Sequence, residues 1–355
     1  MRRLSLLLLV LLIGGCAETR QVMRFGETAQ EHVWPPPPET PRYRFVGELT
    51  GEENFEAKEK GGAANKLRGF FGAIVGLGGK ASLRNILQRP QSGVVDATGR
   101  ILVTDASRLA VFVFDPDAGT LSVWDQASKT ANFASPVGIS VAANGDILVA
   151  DAELGAVFRL SPQGKPLAII GLGDFGRPTG LAVDPESGRI YVADTAEHNI
   201  KVFADDGRLL NIIGRQGIGE TTFNAPTHLA FRDGRLYVTD TFNARVQVLD
   251  SEGNFLRSLG ERGLYLGNLV RPKGVAADSD GNIYVIESFH DYLLIYDQDG
   301  RFLLPIGGTG SGIGQFYLPA GVWIDGRDRV YIADMFNGRV VVLQYLTHES
   351  ADSKP

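Results

Sequence analysis

Few side chains in this 355-residue chain are suited to chemistry, and their spacing narrows what that chemistry could be. An imidazole ligates metals and moves protons near neutral pH. His198, His228 and His290 are therefore weak candidates for a metal centre, and His228 is the candidate for an axial catalytic site. Arg89, Arg177 and Arg271 each stand directly before a proline. Guanidinium groups repeated in one local context suit a carboxylate, a phosphate or another acidic group. Cys16 is the single cysteine, so an intramolecular disulfide is excluded and stability must come from packing. No nucleophile motif, phosphate-cradling loop or pair of carboxylates stands out, so no catalytic residue and no cofactor is assigned. A net charge of −6 gives none of the basic field on which nucleic-acid binders rely.

These residues sit in a repeat. Apolar segments closing on an acid recur at Asp105, Asp151, Asp194, Asp240, Glu287 and Asp334, in steps of 46, 43, 46, 47 and 47 residues. A proline-led apolar strand precedes each, starting at Pro90, Pro136, Pro178, Pro226, Pro272 and Pro319. A third strand, a turn such as Asp205-Asp206-Gly207, and a fourth strand follow. Four short strands with turn signals, six times over, predict an all-β, six-bladed β-propeller of four-stranded blades.

The details resemble the NHL repeat family, most fully in the third and fourth repeats. Ala110, Ala156 and Tyr292 replace the family arginine in the first, second and fifth. The resemblance covers residues 90–345 and implies the fold more than any activity, since one fold hosts many functions. The sixth repeat lacks a fourth strand. Tyr43–Gly47, with Gly51 and Phe55 after it, matches the Gly214, Gly217 and Phe223 pattern and is expected to supply that strand and close the ring. The propeller would then span 43–345, with 43–55 as its closing segment and 346–355 as a polar tail.

Strand alternation sorts the connections onto two faces. One collects Asp-Gly and Glu-Gly turns and is acidic, although Asp and Gly also simply suit tight turns. The other carries the second-to-third loops, the links between blades and the three arginines, which would form a ring around one mouth. The recurring strand-terminal acids lie on this face too and are expected to accept backbone N–H bonds from the loop that follows. Propeller enzymes work at the axial mouth, here Ser92, Gly138, Gly180, His228, Gly274 and Gly321. Lyases of similar repeat that cleave hydroxyglycine peptides supply three histidines there, and this chain supplies one. A site drawing in His198 and His290 from neighbouring loops is the alternative.

Two segments lie outside the repeat. Arg2 and Arg3 precede an apolar run too short to span a bilayer comfortably, which ends in Ile13-Gly14-Gly15-Cys16. This resembles the lipobox of bacterial lipoproteins and implies a signal peptide over 1–15 and lipidation of Cys16. Ala17 after the cysteine resembles outer-membrane sorting where a cell has two membranes. Residues 16–42, with prolines at 35–38 and 41, read as a stiff polyproline or unstructured tether. The link from Gly47 to Pro90 is 31 residues longer than the 12-residue links elsewhere. Within this 56–89 insertion, Leu67, Phe70, Phe71, Ile74 and Val75 have amphipathic-helix spacing, weakened by Gly69, Gly72 and Gly76. Seven Lys or Arg against two Glu make it locally basic. It is expected either to form a lid over the disc or to dock, through Phe70 and Phe71, on a partner or an anionic membrane surface.

The combined expectation is a membrane-anchored propeller in the cell envelope, acting as a scaffold or ligand receptor for a protein or anionic partner. A metal-dependent hydrolase or lyase around His228 is the alternative. Glycan binding has no sequence feature for or against it.

Overall fold

A computed structural model describes residues 21–26, 30–57 and 85–346. Six antiparallel sheets follow one another around a ring. Blade one runs Pro90–Val95, Ile101–Asp105, Ala110–Asp115 and Thr120–Trp124 from the axis outward. Blades two to five repeat this order from Pro136, Pro178, Pro226 and Pro272.

The second strands, such as Ile147–Asp151 and Ile190–Asp194, are buried along their length, apart from Arg235 and Arg329 that open those of blades four and six. Their unbroken apolar runs reflect burial on both sheet faces by the neighbouring blades. Six apolar clusters fill the six interfaces between blades, so the core is a ring of wedges rather than one central mass. The outer strands alternate weakly and expose Leu167, Ile169, Leu210 and Ile212.

Blade six holds Val322–Ile324, Arg329–Asp334 and Arg339–Tyr345, and its fourth strand is Tyr43–Leu49. That strand pairs antiparallel with Arg339–Tyr345, from Tyr345 opposite Tyr43 to Val340 opposite Leu49. The ring closes as expected, and the first-to-last pairing leaves no gap between blades five, six and one.

Two expectations near this closure need correction. Phe55 does not fill the position of Phe223; Leu87 does. Its N–H bonds the Thr50 carbonyl at 2.8 Å, as Phe223 N–H bonds Arg215 at 2.9 Å and Phe316 N–H bonds Gly308 at 2.9 Å. The spacing to the following inner-strand proline is conserved from blade to blade, so the plug is counted from Pro90 and the insertion falls before it. Phe55 instead opens the strand Phe55–Ala57, its ring stacked at 6.2 Å on Phe114.

The described part of the 16–42 segment is also not a free tether. Gln21–Met23 pairs with Phe55–Ala57, and Val33–Trp34 pairs with Tyr43 and Arg44. Pro35–Pro38 form the turn between the latter two strands rather than an extended spacer. Apolar residues interleaved with the polar ones explain the docking: Met23 and Phe25 pack on the interface of blades six and one, and Trp34 on that of five and six.

The only helical elements among the described residues are three short 3-10 turns, Glu52–Asn54, Thr241–Asn243 and Met335–Asn337. Cys16, the signal segment 1–15, Phe70, Phe71 and most of the 56–89 insertion lie outside the described residues.

Candidate ligand-binding face

Each face of the disc follows from its turns. On the acidic face Asp250 Oδ1 accepts the N–H groups of Glu252 and Asn254 at 3.0 and 2.8 Å, and Asp297 does the same for Asp299 and Arg301. These carboxylates build the turns that hold them.

On the opposite face the strand-terminal acids act as clamps. Asp105, Asp151, Asp194, Asp240 and Asp334 are fully buried and Glu287 nearly so. Asp151 accepts N–H bonds from Glu153 and Leu154 in the following loop, as expected, and also from Ala134 and Ser135 before its inner strand. Asp105 and Glu287 repeat both halves of this pattern. Each acid therefore ties the incoming link of its blade to the loop between strands two and three. Where the family basic residue is present it adds charge: Arg245 Nε lies 2.8 Å from Asp240 and Arg339 Nε 2.8 Å from Asp334. In blade three Lys201, two positions further along, takes this part against Asp194. Saturated carboxylates of this kind serve structure.

The axial positions differ from expectation. A Cβ added at Gly138 would strike the Thr179 carbonyl, one at Gly180 would meet His228 Cα at 2.7 Å, and one at Gly321 would meet the Gln91 carbonyl at 2.3 Å. These glycines face the backbone of the next blade rather than an open channel, and they let the inner strands approach closely. An axial cavity of about 190 Å³ remains toward the acidic face. It is lined by Val94, Ile139, Leu181, Leu229, Val275 and Trp323 among others, with Arg232 the only titratable side chain in its lining among the described residues.

The three histidines do not converge. His198 Nδ1 accepts the Ala225 N–H at 2.9 Å, His290 Nδ1 lies 2.9 Å from Glu287 Oε2, and His228 Nδ1 lies 3.1 Å from Thr227 Oγ1. Among the described residues no group of His, Cys, Asp and Glu is placed to hold a metal. His228 Nε2 is enclosed without a hydrogen-bond partner. Desolvation, with Lys273 adding repulsion, pushes its pKa down to about 3, so the ring is neutral at pH 7.

The arginines are placed one by one. Arg89 lies with its guanidinium 5.5 Å from the Phe336 ring centroid. Arg271 is exposed, and the strands following Arg89 and Arg271 both flank the inner strand of blade six. Arg177 stands on the far side of blade four from Arg271.

Two features of this face escaped the sequence reading. In blades four, five and six the residue two past the strand-terminal acid is Phe242, Phe289 or Phe336, exposed at 60, 52 and 50%. Blades one to three carry Ser107, Glu153 and Ala196 there. Between these loops, links expose Leu264, Tyr265, Leu266 and Tyr317. The exposed loop phenylalanines are therefore confined to half the ring, whereas Ile86, Leu109, Leu172 and Ile218 are exposed singly in the loops and links of the rest of this face. Aligning the repeats on the acid would have revealed it, since a large apolar residue at a loop tip has no core to serve. The second is Lys273, one residue into the inner strand of blade five, where the other blades carry Gln91, Val137, Thr179, Thr227 and Ala320.

Comparison with known proteins agrees with this architecture. A family model for the NHL repeat matches residues 175–203, and one described as a 6-bladed beta-propeller matches residues 268–349. The chain is a six-bladed β-propeller, with an NHL repeat matched in its third blade. No curated protein sequence matches it. Among solved structures it is similar to virginiamycin B lyase from Staphylococcus aureus, at 14% identity and TM-score 0.53, over 72% of this chain and 95% of that one. An auxiliary nutrient binding protein from Bacteroides ovatus matches at 15% and 0.57, over 72% and 69%. A gluconolactonase from Xanthomonas campestris matches at 17% and 0.57, over 73% and 86%. At these identities the likeness is one of fold.

Proposed function

We propose that this protein is a membrane-anchored lipoprotein of the bacterial cell envelope whose propeller binds a protein partner without catalysing a reaction. The observation that carries this reading is the row of exposed phenylalanines, Phe242, Phe289 and Phe336, in matched loops of three consecutive blades. Aromatic side chains beside arginines are the residues that dominate protein interfaces. Large apolar side chains exposed at matched loop positions of one face mark an interaction site. The partner is expected to carry acidic groups, because Arg89 and Arg271 rim the same sector.

Anchoring rests on Arg2, Arg3 and the Ile13-Gly14-Gly15-Cys16 motif, with the outer membrane as destination where there are two. A Cβ at Gly119, in an acidic-face turn of blade one, would collide with the Gln21 carbonyl. The chain five residues past Cys16 therefore sits beside the acidic face, and an anchor there leaves the aromatic face pointing away from the bilayer. The separate engagement of the three histidines weighs against a metal-dependent hydrolase or lyase around His228.

The test is photo-crosslinking from position 289 in the native membrane. A discrete crosslinked partner is expected, lost in the Phe242→Ser/Phe336→Ser background while the purified domain keeps its Tm. Crosslinking that survives these changes would overturn the assignment of the face. A stoichiometric metal lost on His228→Ala would overturn the non-catalytic reading. Release of a Cys16→Ala variant into the soluble fraction tests the anchor.

A further inference from the structure

Lys273 is an unusual residue in its surroundings. Its side chain is half-buried at the mouth of the axis, beside His228. No hydrogen bond or ion pair engages its ammonium among the described residues. The charged groups that face it are Arg271 and Arg89, both cationic. Burial and these two neighbours hold its pKa below the ordinary lysine value. The backbone enforces the crowding. A Cβ at Gly274 would lie 2.5 Å from Val322 N, and one at Gly321 would lie 2.3 Å from the Gln91 carbonyl. Gly274 N–H also bonds the Ala320 carbonyl directly at 2.8 Å. The inner strands of blades five, six and one are thus drawn together, and the arginines preceding two of them come within electrostatic range of one lysine.

Asp105 and Glu287 accept the backbone N–H groups of Arg89 and Arg271, and no ion pair joins them to the three cationic side chains among the described residues, which makes the cluster a poor structural element. Like charges repel, and a desolvated ammonium without a partner is unfavourable. A bound anion would relieve both effects. Arg271 would offer a fork of N–H donors and Lys273 a point charge beneath it.

We propose that the axial mouth between blades five, six and one is an oxyanion-binding site, with Lys273 at its base and Arg271 and Arg89 on its rim. The group it takes is a carboxylate or phosphate oxyanion, supplied by a free small anion or by an acidic side chain of a docked polypeptide. The neutral imidazole of His228 closes one side without adding charge. Arg177 belongs to the far side of the ring and takes no part. The site deepens the reading of this face as a binding face, but its chemistry is separate from the phenylalanine sector.

The experiment is calorimetric titration of the purified soluble protein with inorganic phosphate at low ionic strength, repeated with a hexaglutamate peptide. Wild type should bind phosphate saturably, with affinity falling as sodium chloride is added. Lys273→Met, which keeps the apolar stem, should weaken binding at least tenfold, and Arg177→Met should leave it unchanged. Phosphate should raise the Tm of wild type and not that of Lys273→Met, which should itself melt at or above the unliganded wild-type temperature. Tighter binding of hexaglutamate than of phosphate would identify a polypeptide source, and the reverse a free anion. Absence of saturable binding of both probes, or binding untouched by Lys273→Met, would overturn the site. Phosphate binding that persists when crosslinking from position 289 fails would remove the proposed partner surface and leave this site standing. The opposite pattern would remove only this site.

Discussion

The Tyr43 hydroxyl lies 3.0 Å from that of Tyr284, 241 positions further along the chain. Tyr284 in turn donates to Asp278 Oδ2 at 2.7 Å. The closing strand is thereby tied to blade five as well as to its own sheet in blade six. Arg339 adds a second tie, reaching Glu48 Oε1 at 2.6 Å while bonding Asp334. Tyr43→Phe should cost about 1 kcal/mol, because Tyr284 keeps its carboxylate partner. Arg339→Met should cost more, about 3 kcal/mol, since it leaves Asp334 and Glu48 without their cation. Urea denaturation monitored by near-ultraviolet circular dichroism measures both, and equal effects would contradict the assignment.

The carboxylate clamps give a sharper prediction. Asp151 receives four backbone N–H groups, and replacing it with Ala strands all of them in a buried site. A loss of about 4 kcal/mol is expected, with Asp151→Asn intermediate because its amide keeps one acceptor oxygen. If Asp151→Ala unfolds at the wild-type urea midpoint, the clamp is not structural.

Close approach at the axis is testable at Gly93. A Cβ there would lie 2.3 Å from Cζ2 of Trp323, whose indole is stacked on Tyr331 with ring centroids 5.5 Å apart. Gly93→Ala should destabilise by about 2 kcal/mol through overpacking. The double variant Gly93→Ala/Trp323→Leu should recover part of that loss, and strict additivity would show that the two residues do not press on each other.

His228 predicts an acid-side dependence. Its folded pKa, about 3, lies below the ordinary 6.5, so the unfolded chain binds the extra proton first. Its contribution is fully present above pH 6.5 and is lost progressively as pH falls toward 3. The loss amounts to roughly 4 kcal/mol if the ring stays enclosed. His228→Asn should therefore flatten the stability profile between those pH values relative to wild type. Parallel profiles would show that the ring gains solvent before it protonates.

Much of this was written in the repeat. The prolines, strand-terminal acids and Asp-Gly turns place every blade because each is a local signal: a fixed φ, a buried acceptor, a tight turn. The closing strand was legible as well, since one repeat lacked a strand and Tyr43–Gly47 had its pattern. The docked segment Gln21–Met23 was harder to see. Three residues pairing with Phe55–Ala57 across 31 intervening positions carry no period, and a proline run nearby pointed to a spacer.

The sequence by itself determined the number of blades, the order of strands within each and the two faces, because those depend on periodicity and turn chemistry. Only the tertiary structure decided which side chains meet. It turned the axial glycines from channel lining into contacts between blades, assigned the plug before blade one to Leu87, separated three histidines and gathered Lys273 with two arginines. Such neighbours come from different repeats, and their approach is set by how closely backbones pack around the ring, which no single repeat encodes.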